Sequence, residues 1–412
     1  MSQISMKKKS LFTRVVLSVI ALAVMGMGVL VILPAISPAA GAQVADALRA
    51  VFGPDVVANI ETVSFRIQDA LNQKLYLVMG NKSDVTFDNQ NGVQSSASPF
   101  AVNQPTAPVD VNQPAAQSST PLNAVPLPAQ NQYDQVSDAG NAVSALPQIG
   151  WQAYGPEING EPVMARALLS LDPKRPYAAI ALVRMDLSKL QLHMMPGSLE
   201  PAHSWNILMA IPNIGLTPAS DQGHIVAGFN GGFKAVNGNY GMMVDNITLL
   251  PPLPDIATLA IYKDGKVRIG AWGTDIQPSP DIIAYRQNCP AIIASGKLNP
   301  LVTDDNRIVW GRTISNEEVT WRTAVGLSQD GRYLIYAVGN ATVVSTLAQA
   351  LQAAGAYNAM QLDINRHYAH FATYELDQNG HRVAVQLLDQ MESDPKIYLV
   401  AHSRDYFYLT TK

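Results

Sequence analysis

Residues 320–367, TWRTAVGLSQDGRYLIYAVGNATVVSTLAQALQAAGAYNAMQLDINRH, read as strand, hairpin, strand, helix and strand, closing in an acidic loop. Asp330-Gly331 suits a type I′ turn, in which both central residues take positive φ, and the β-forming runs 324–327 and 333–338 flank it. Across residues 345–354 the apolar Leu347, Ala350, Leu351 and Ala354 fall three and four apart, which is one face of a helix. Gly355 then supplies the left-handed position that ends it. A short strand at 359–362 carries Asp363 to a strand end, where a carboxylate can meet solvent and a ligand.

Working outward, the same grammar repeats. Runs 259–262 and 266–269 flank Asp264-Gly265, and runs 372–376 and 382–388 flank Asn379-Gly380. Residues 177–185 and 189–194 read as two strands paired around 186–188. Residues 224–229 read as a buried strand ending at Asn230-Gly231-Gly232, whose glycines allow a positive-φ turn close to a ligand. Residues 398–409 supply a last strand or pair of strands. The fold expected is α+β, with antiparallel-rich sheets and few helices. No glycine-rich phosphate loop opens a helix, so a doubly wound nucleotide-binding fold is not expected.

The N-terminal third is of another kind. A basic tail at 1–14, with Lys7, Lys8, Lys9 and Arg14, precedes residues 15–33, which carry no charge. At about 1.5 Å per residue that run can cross a hydrocarbon core of about 30 Å. It reads as a single-pass signal anchor with the tail in the cytoplasm and the rest outside, the competing reading being a signal peptide cleaved near Ala40-Gly41-Ala42. Residues 43–79 read as a helical stalk broken at Gly53-Pro54. Its apolar stripe of Val56, Ile60, Val63, Ile67 and Leu71 can pair with a second copy, or lie on a membrane or on the folded domain. Residues 80–146, rich in Gln, Asn, Ser, Ala and Pro, read as a disordered linker. Order resumes near Trp151, giving a folded domain at 147–412.

The formal net charge of −4, without a basic patch, argues against nucleic acid as a partner. The single Cys289 excludes an intrachain disulfide and reads as a buried thiol. Asp363, His367 and His370 invite a metal site, but the aromatic residues around them suggest a strand, on which His367 and His370 point to opposite faces; no metal and no cofactor is expected.

The blocks Arg322-Thr323-Ala324-Val325-Gly326, Asp330-Gly331-Arg332, Gly355-Ala356 and Leu362-Asp363, with the helix between them, resemble the C-terminal half of the phosphodiester glycosidase family. Gly228-Phe229-Asn230-Gly231-Gly232-Phe233 and Asp264-Gly265-Lys266 resemble two further blocks in the family's order, so that the likeness runs from Tyr177 to the C-terminus. It departs at residues 364–367, Ile-Asn-Arg-His, where much of the family has a glycine-rich turn and serine.

The resemblance implies hydrolysis of sugar-1-phosphodiester linkages in envelope or exopolysaccharide glycans. A phosphate monoester leaves with little acid assistance, so one carboxylate and one arginine suffice, unlike the carboxylate pair of ordinary glycosidases. Asp363 is then the nucleophile or base and Arg322 the bidentate phosphate clamp. Asn230, Gly231, Gly232, Thr323, Asn365 and Trp321 are the expected substrate-binding residues. Asp245, Glu317 and Glu318 are weaker candidates for a second carboxylate, the last two on an exposed lip beside Trp321. The alternative is a non-catalytic glycan-binding or envelope-organising protein of the same fold, favoured by the changed loop at 364–367.

Overall fold

The computed structural model describes residues 48, 51, 53–79, 85–87, 147–201, 211, 214–303, 309–311, 318–376 and 382–412. In chain order the strands are β1 (Gln152–Ile158), β2 (Glu161–Leu169), β3 (Ile180–Asp186), β4 (Leu190–Met195), β5 (Ile225–Asn230), β6 (Met242–Val244), β7 (Ile247–Leu250), β8 (Ala257–Tyr262) and β9 (Val267–Ala271). There follow β10 (Ile282–Gln287), β11 (Ala291–Ala294), β12 (Lys297–Leu298), β13 (Thr320–Leu327), β14 (Tyr333–Thr342), β15 (Asn358–Gln361), β16 (Phe371–Leu376), β17 (Arg382–Gln386) and β18 (Tyr406–Thr411). Helix α1 spans Pro54–Met79 and α2 spans Val344–Ala353.

The strands form an eight-stranded sheet in the order β1-β2-β3-β14-β13-β15-β11-β12 and two five-stranded sheets, β7-β6-β10-β8-β9 and β17-β16-β5-β18-β4. Neighbouring strands run antiparallel, as the hairpin signals require. Strand β13 lies at the heart of the large sheet, and its alternation assigns its two faces. Ala324 packs with Leu347, Ala350 and Leu351 of α2, whereas Val325 packs with Phe229, Phe371 and Phe407 of the five-stranded sheet. Burying one such leucine stabilises by about 1.5–3 kcal/mol, which holds a ten-residue helix that is marginal alone.

Helix α2 and strand β15 fall within a residue of where periodicity puts them, and Gly355 ends α2 at φ 92°. The hairpin between β13 and β14 differs in its turn. Of Asp330 and Gly331 only Gly331 has positive φ, at 74°, so the turn is not type I′. Asp330 Oδ1 instead accepts hydrogen bonds from Ser328 Oγ (2.5 Å) and the Arg332 amide (3.0 Å), a side-chain turn that needs one glycine. Residues 377–381, with Asn379-Gly380, lie outside the described residues, but β16 and β17 on either side pair as expected.

The pair expected at 177–185 and 189–194 does not form. Strand β3 lies between β2 and β14, while β4 pairs with β18 in another sheet. Asp186 fixes the bend between them, accepting from the Ser188 amide (2.9 Å) and hydroxyl (2.6 Å) and from Arg332 Nη2 (2.8 Å). A sharp bend and better partners elsewhere outweigh local hairpin pairing.

Helix α1 starts at Pro54, as the sequence break suggests, and lies against the folded domain. Asp69 accepts from Arg175 Nε and Nη2 (2.8 Å each) and from the Tyr177 hydroxyl (2.9 Å), and Arg66 Nε donates to Glu318 Oε1 (2.9 Å). Val56, Val63, Ile67 and Leu71 of the apolar stripe face outward. Within the expected linker, residues 85–87 are ordered: Val85 is buried, Phe87 bridges to Leu388, and Arg166 stacks on the Phe87 ring. Two apolar side chains in alternation gave that short stretch something to bury. Among the described residues no helix is long and apolar enough to cross a membrane; the expected anchor at 15–33 and the rest of the linker lie outside them.

Candidate active site

Strand β18 pairs with β5 so that Tyr406 stands opposite Asn230. This register brings Arg404-Asp405, just before β18, beside Gly231-Gly232, just after β5. Residue 363, just after β15, arrives from the large sheet, and these three strand ends line a cleft of about 390 Å³ together with His367, His370 and His402. Its size is that of a small-molecule site.

The glycines are needed for close approach, not for a positive φ, which neither has. A Cβ on Gly231 would lie 2.0 Å from Asp405 Oδ2, and one on Gly232 would lie 3.0 Å from Arg286 Cζ. The space is taken by hydrogen bonds: the Gly231 amide donates to the Asp405 carbonyl (3.0 Å) and the Gly232 amide to Asp405 Oδ2 (3.0 Å). Arg286 Nε donates to the same carboxylate oxygen (2.8 Å), an ion pair with both side chains essentially inaccessible to solvent. Its other nitrogens reach the carbonyls of Phe233, Tyr240 and Gln287, so the buried charge is well supplied.

Asp363 stands on the cleft wall. Its Oδ2 accepts from Arg404 Nη2 (2.8 Å), which also donates to the Gly232 carbonyl (2.8 Å), and its Oδ1 accepts from the Asn365 amide (2.9 Å). Tyr368 lies over Arg404, with Cζ 4.3 Å from the ring centroid. Burial opposes the charge on Arg404, but Asp363 and Asp405 outweigh it and raise its pKa, so the cation is permanent. The four charges, Asp363 with Arg404 and Asp405 with Arg286, balance within the wall.

Three histidines line the same cleft. Burial, with His402 nearby, pushes the His370 pKa down to about 3. Burial also lowers those of His367 and His402, aided in both by the cation of Arg404. All three rings are therefore neutral at physiological pH and act as hydrogen-bonding groups. Glu392, ion-paired with Arg366, has its carboxyl raised by burial.

The expected site residues divide. Asp363, Asn230, Gly231 and Gly232 line the cleft; Arg322, Thr323, Asn365 and Trp321 do not. Arg322 is buried, donating to the Trp310 carbonyl (3.1 Å), Gln361 Oε1 (2.9 Å) and the Glu318 carbonyl (3.1 Å). Burial pulls its pKa down to about 10, which leaves it charged but turned away from the cleft. Thr323 joins the layers behind the site, donating to the Asp363 carbonyl (2.7 Å) and accepting from Asn230 Nδ2 (2.9 Å). The Asn230 amide is spent on this frame, since its Oδ1 accepts from the Tyr336 hydroxyl (2.9 Å) and the His370 amide (3.3 Å). Asn365 caps the changed loop, where its Oδ1 accepts from the His367 amide (2.9 Å). Trp321 is a core residue, and Glu318 is buried against Arg66 and not on an exposed lip. Asp245 sits at φ 50° in the turn between β6 and β7, and Glu317 lies outside the described residues. Among the described residues no group of three or more His, Cys, Asp and Glu is arranged to hold a metal.

Sequence reasoning passed over Arg404, Asp405, Arg286 and His402, and saw His367 and His370 only as metal ligands. The usable signal was Arg404-Asp405 directly ahead of the β-forming run 406–411, an arginine and a short polar residue in sequence like Arg322-Thr323, which lie near the start of β13.

Among solved structures, the chain is similar to the catalytic domain of zebrafish N-acetylglucosamine-1-phosphodiester alpha-N-acetylglucosaminidase, auto-inhibited by its pro-peptide. The identity is 15% over 64% of this chain and 88% of that chain, with a TM-score of 0.40. It is also similar to a hypothetical protein from Synechocystis at 9% identity, over 65% of this chain and 64% of that chain, with a TM-score of 0.36. A search of the curated proteins finds no match. Residues 223–363, which run from the approach to β5 through to Asp363, match the family model of the phosphodiester glycosidases, and this stretch carries that family's domain.

Proposed function

We propose that this chain is a glycosidase-type hydrolase that cleaves sugar-1-phosphodiester linkages in cell-envelope or exopolysaccharide glycans, held to a membrane by residues 15–33. The observation that carries the reading is Asp363: it ends the matched family segment, lines the cleft, and meets Arg404 at 2.8 Å. In this reading Asp363 takes a proton from water as the water oxygen bonds to C1. The C1–O bond to phosphorus breaks, and the phosphate monoester leaves with the bonding electron pair. Arg404, whose Nε has no hydrogen-bond partner, replaces Arg322 as the cation nearest the departing phosphate. Neutral histidines and two tyrosines line the rest of the cleft, a surface suited to hydroxyls and to the flat face of a sugar.

The test is sugar release by the full chain from a panel of sugar-1-phosphodiesters, with Asp363→Asn and Arg404→Lys alongside. Release that persists unchanged in Asp363→Asn would sink the reading. A second reading, non-catalytic glycan binding, draws on the loop at 364–367. Two successive side-chain turns, Asp363 to Asn365 and Asn365 to His367, replace an open glycine-rich turn there. Glycan binding without release from any phosphodiester is its signature.

A further inference from the structure

Helix α1 is amphipathic, and it is docked the wrong way round. A surface helix buries its apolar stripe and shows water its polar side. Here the polar side faces the domain: Thr62 is buried, Asp69 binds Arg175 and Tyr177, Gln73 Nε2 donates to Asp69 (3.0 Å), and the Tyr76 ring lies 5.8 Å from that of Tyr177. At 3.6 residues per turn, Val56, Val63, Ile67, Leu71, Leu75 and Val78 share an arc of about 120° on the opposite side. These six run from 44% (Val63) to 84% (Val78) exposed, along a helix about 39 Å long. A continuous apolar stripe of that length marks a surface that another body covers.

Three observations choose the occupant. The first is register: the heptad through Val56, Val63 and Ile67 continues to Ala70 and Lys74, so pairing with a second copy would put a lysine in the seam. A flat surface needs no seam, only residues on one side. The second is charge. Asp55, Glu61 and Asp69 all fall off the stripe, and the one charge within it, Lys74, has a long stem that can lie on an apolar surface with its ammonium at anionic headgroups. The third is distance. Only residues 34–53 separate α1 from the uncharged run 15–33, so at most about 70 Å of chain lies between them. We propose that the outward face of α1 lies on a lipid bilayer, with the stripe sunk about 5–10 Å at the headgroup boundary. This rests on the proposed anchor for nearness to the bilayer, and not on the hydrolase reading. Because Asp69 and Arg66 pin the other side of α1 to the domain, the domain takes a fixed attitude to the bilayer.

The experiment uses the full chain in vesicles of phosphatidylcholine and phosphatidylglycerol, with spin labels on Ile67→Cys, Leu71→Cys and Asn72→Cys. The native Cys289 is buried and stays unlabelled. Labels at 67 and 71 are expected to meet lipid-dissolved oxygen, and the label at 72, about a third of a turn away, to meet water-soluble nickel chelate. Labels at 67 and 71 in water overturn the proposal. So does mutual broadening that disappears on dilution with unlabelled chain, the mark of a second copy. Shielding from both probes without broadening, the mark of another segment of this chain, also overturns it. Val19→Arg with Val24→Arg separates the anchor from the stripe. Vesicle binding unchanged by that pair, with 67 and 71 still deep, removes the anchor and leaves the stripe; binding that the pair abolishes, with 67 and 71 in water beforehand, removes the stripe and leaves the anchor. No vesicle binding by the starting chain removes both. Ile67→Glu with Leu71→Glu, added to the arginine pair, is expected to weaken the remaining binding about tenfold or more, with the urea midpoint unchanged because the docked side is untouched. Remaining binding that this change leaves intact overturns the proposal.

Discussion

Arg322, the third residue of β13, and Arg404, two residues ahead of β18, are each followed by a short polar residue, and they do opposite things. Arg322 faces the layer of α2 and Trp310, and its donors go to main-chain carbonyls and one buried amide. Arg404 faces the meeting of two sheets and holds Asp363 on the cleft wall, and both arginines keep Nε without a partner. In type, burial and charge the two are alike. What separates a framework arginine from a site arginine is which face of the sheet it takes and whether its partners are framework groups or the carboxylate on the cleft wall.

The sharpest test of that contrast is at the carboxylate the site arginine holds. Asp363→Asn is expected to lower kcat for sugar release about a thousandfold or more, since the only charged base at the cleft end of β15 is removed. Steady-state kinetics on the folded variant measures it. The second test is of the wall beneath. Asp405→Ala leaves Arg286 charged, buried and unmatched, and urea unfolding is expected to show a loss of about 3–5 kcal/mol. Replacing both partners with apolar residues of similar size should cost less, and a double variant as unstable as the single one would break the argument.

Arg322→Lys comes next. A lysine cannot span the Trp310 carbonyl, the Gln361 amide and the Glu318 carbonyl together. Stability is expected to fall by about 1–3 kcal/mol, while kcat/KM of the folded fraction stays within about threefold of the starting protein. A large kcat loss without a stability loss would return Arg322 to the site and undo the comparison.

The same contrast explains what could be read in advance. Asp363 and Asn230-Gly231-Gly232 were legible because each ends a strand whose pattern is local. The cause assigned to the glycines was wrong, since what they avoid is Asp405 and Arg286, both distant in sequence. Period-two alternation puts Arg322 on the face of Ala324 and Thr323 on that of Val325, but which face holds the cleft depends on the layers packed against it. Arg404 and Asp405 reach the site only through the pairing of β18 with β5, which joins segments far apart in the chain. The parting of β3 from β4 escaped for the same reason: their partners lie far along the chain.

The smallest expected effect is on pH dependence, and it follows from His370. Its folded pKa, depressed to about 3, lies below the ordinary 6.5. Between those values the unfolded chain binds a proton that the folded chain refuses. Stability is therefore fully present above the unfolded pKa and declines as pH falls through 6.5 towards 3. From about pH 7 to about pH 5.5 this one group is expected to remove about 1.3 kcal/mol. His367 and His402, also depressed by burial, act in the same direction. The raised carboxyl of Glu392 acts oppositely, taking up a proton in the folded state first, but it starts from 4.5 and so enters at the acid end of the window. His370→Leu should flatten the slope of unfolding free energy against pH and raise stability at about pH 5.5, because an unanswered buried polar group is removed with the titration. Denaturant unfolding at a series of pH values measures it. A slope unchanged by the substitution would mean that His370 exchanges protons freely in the folded protein, which an imidazole buried on the cleft wall without partners does not do.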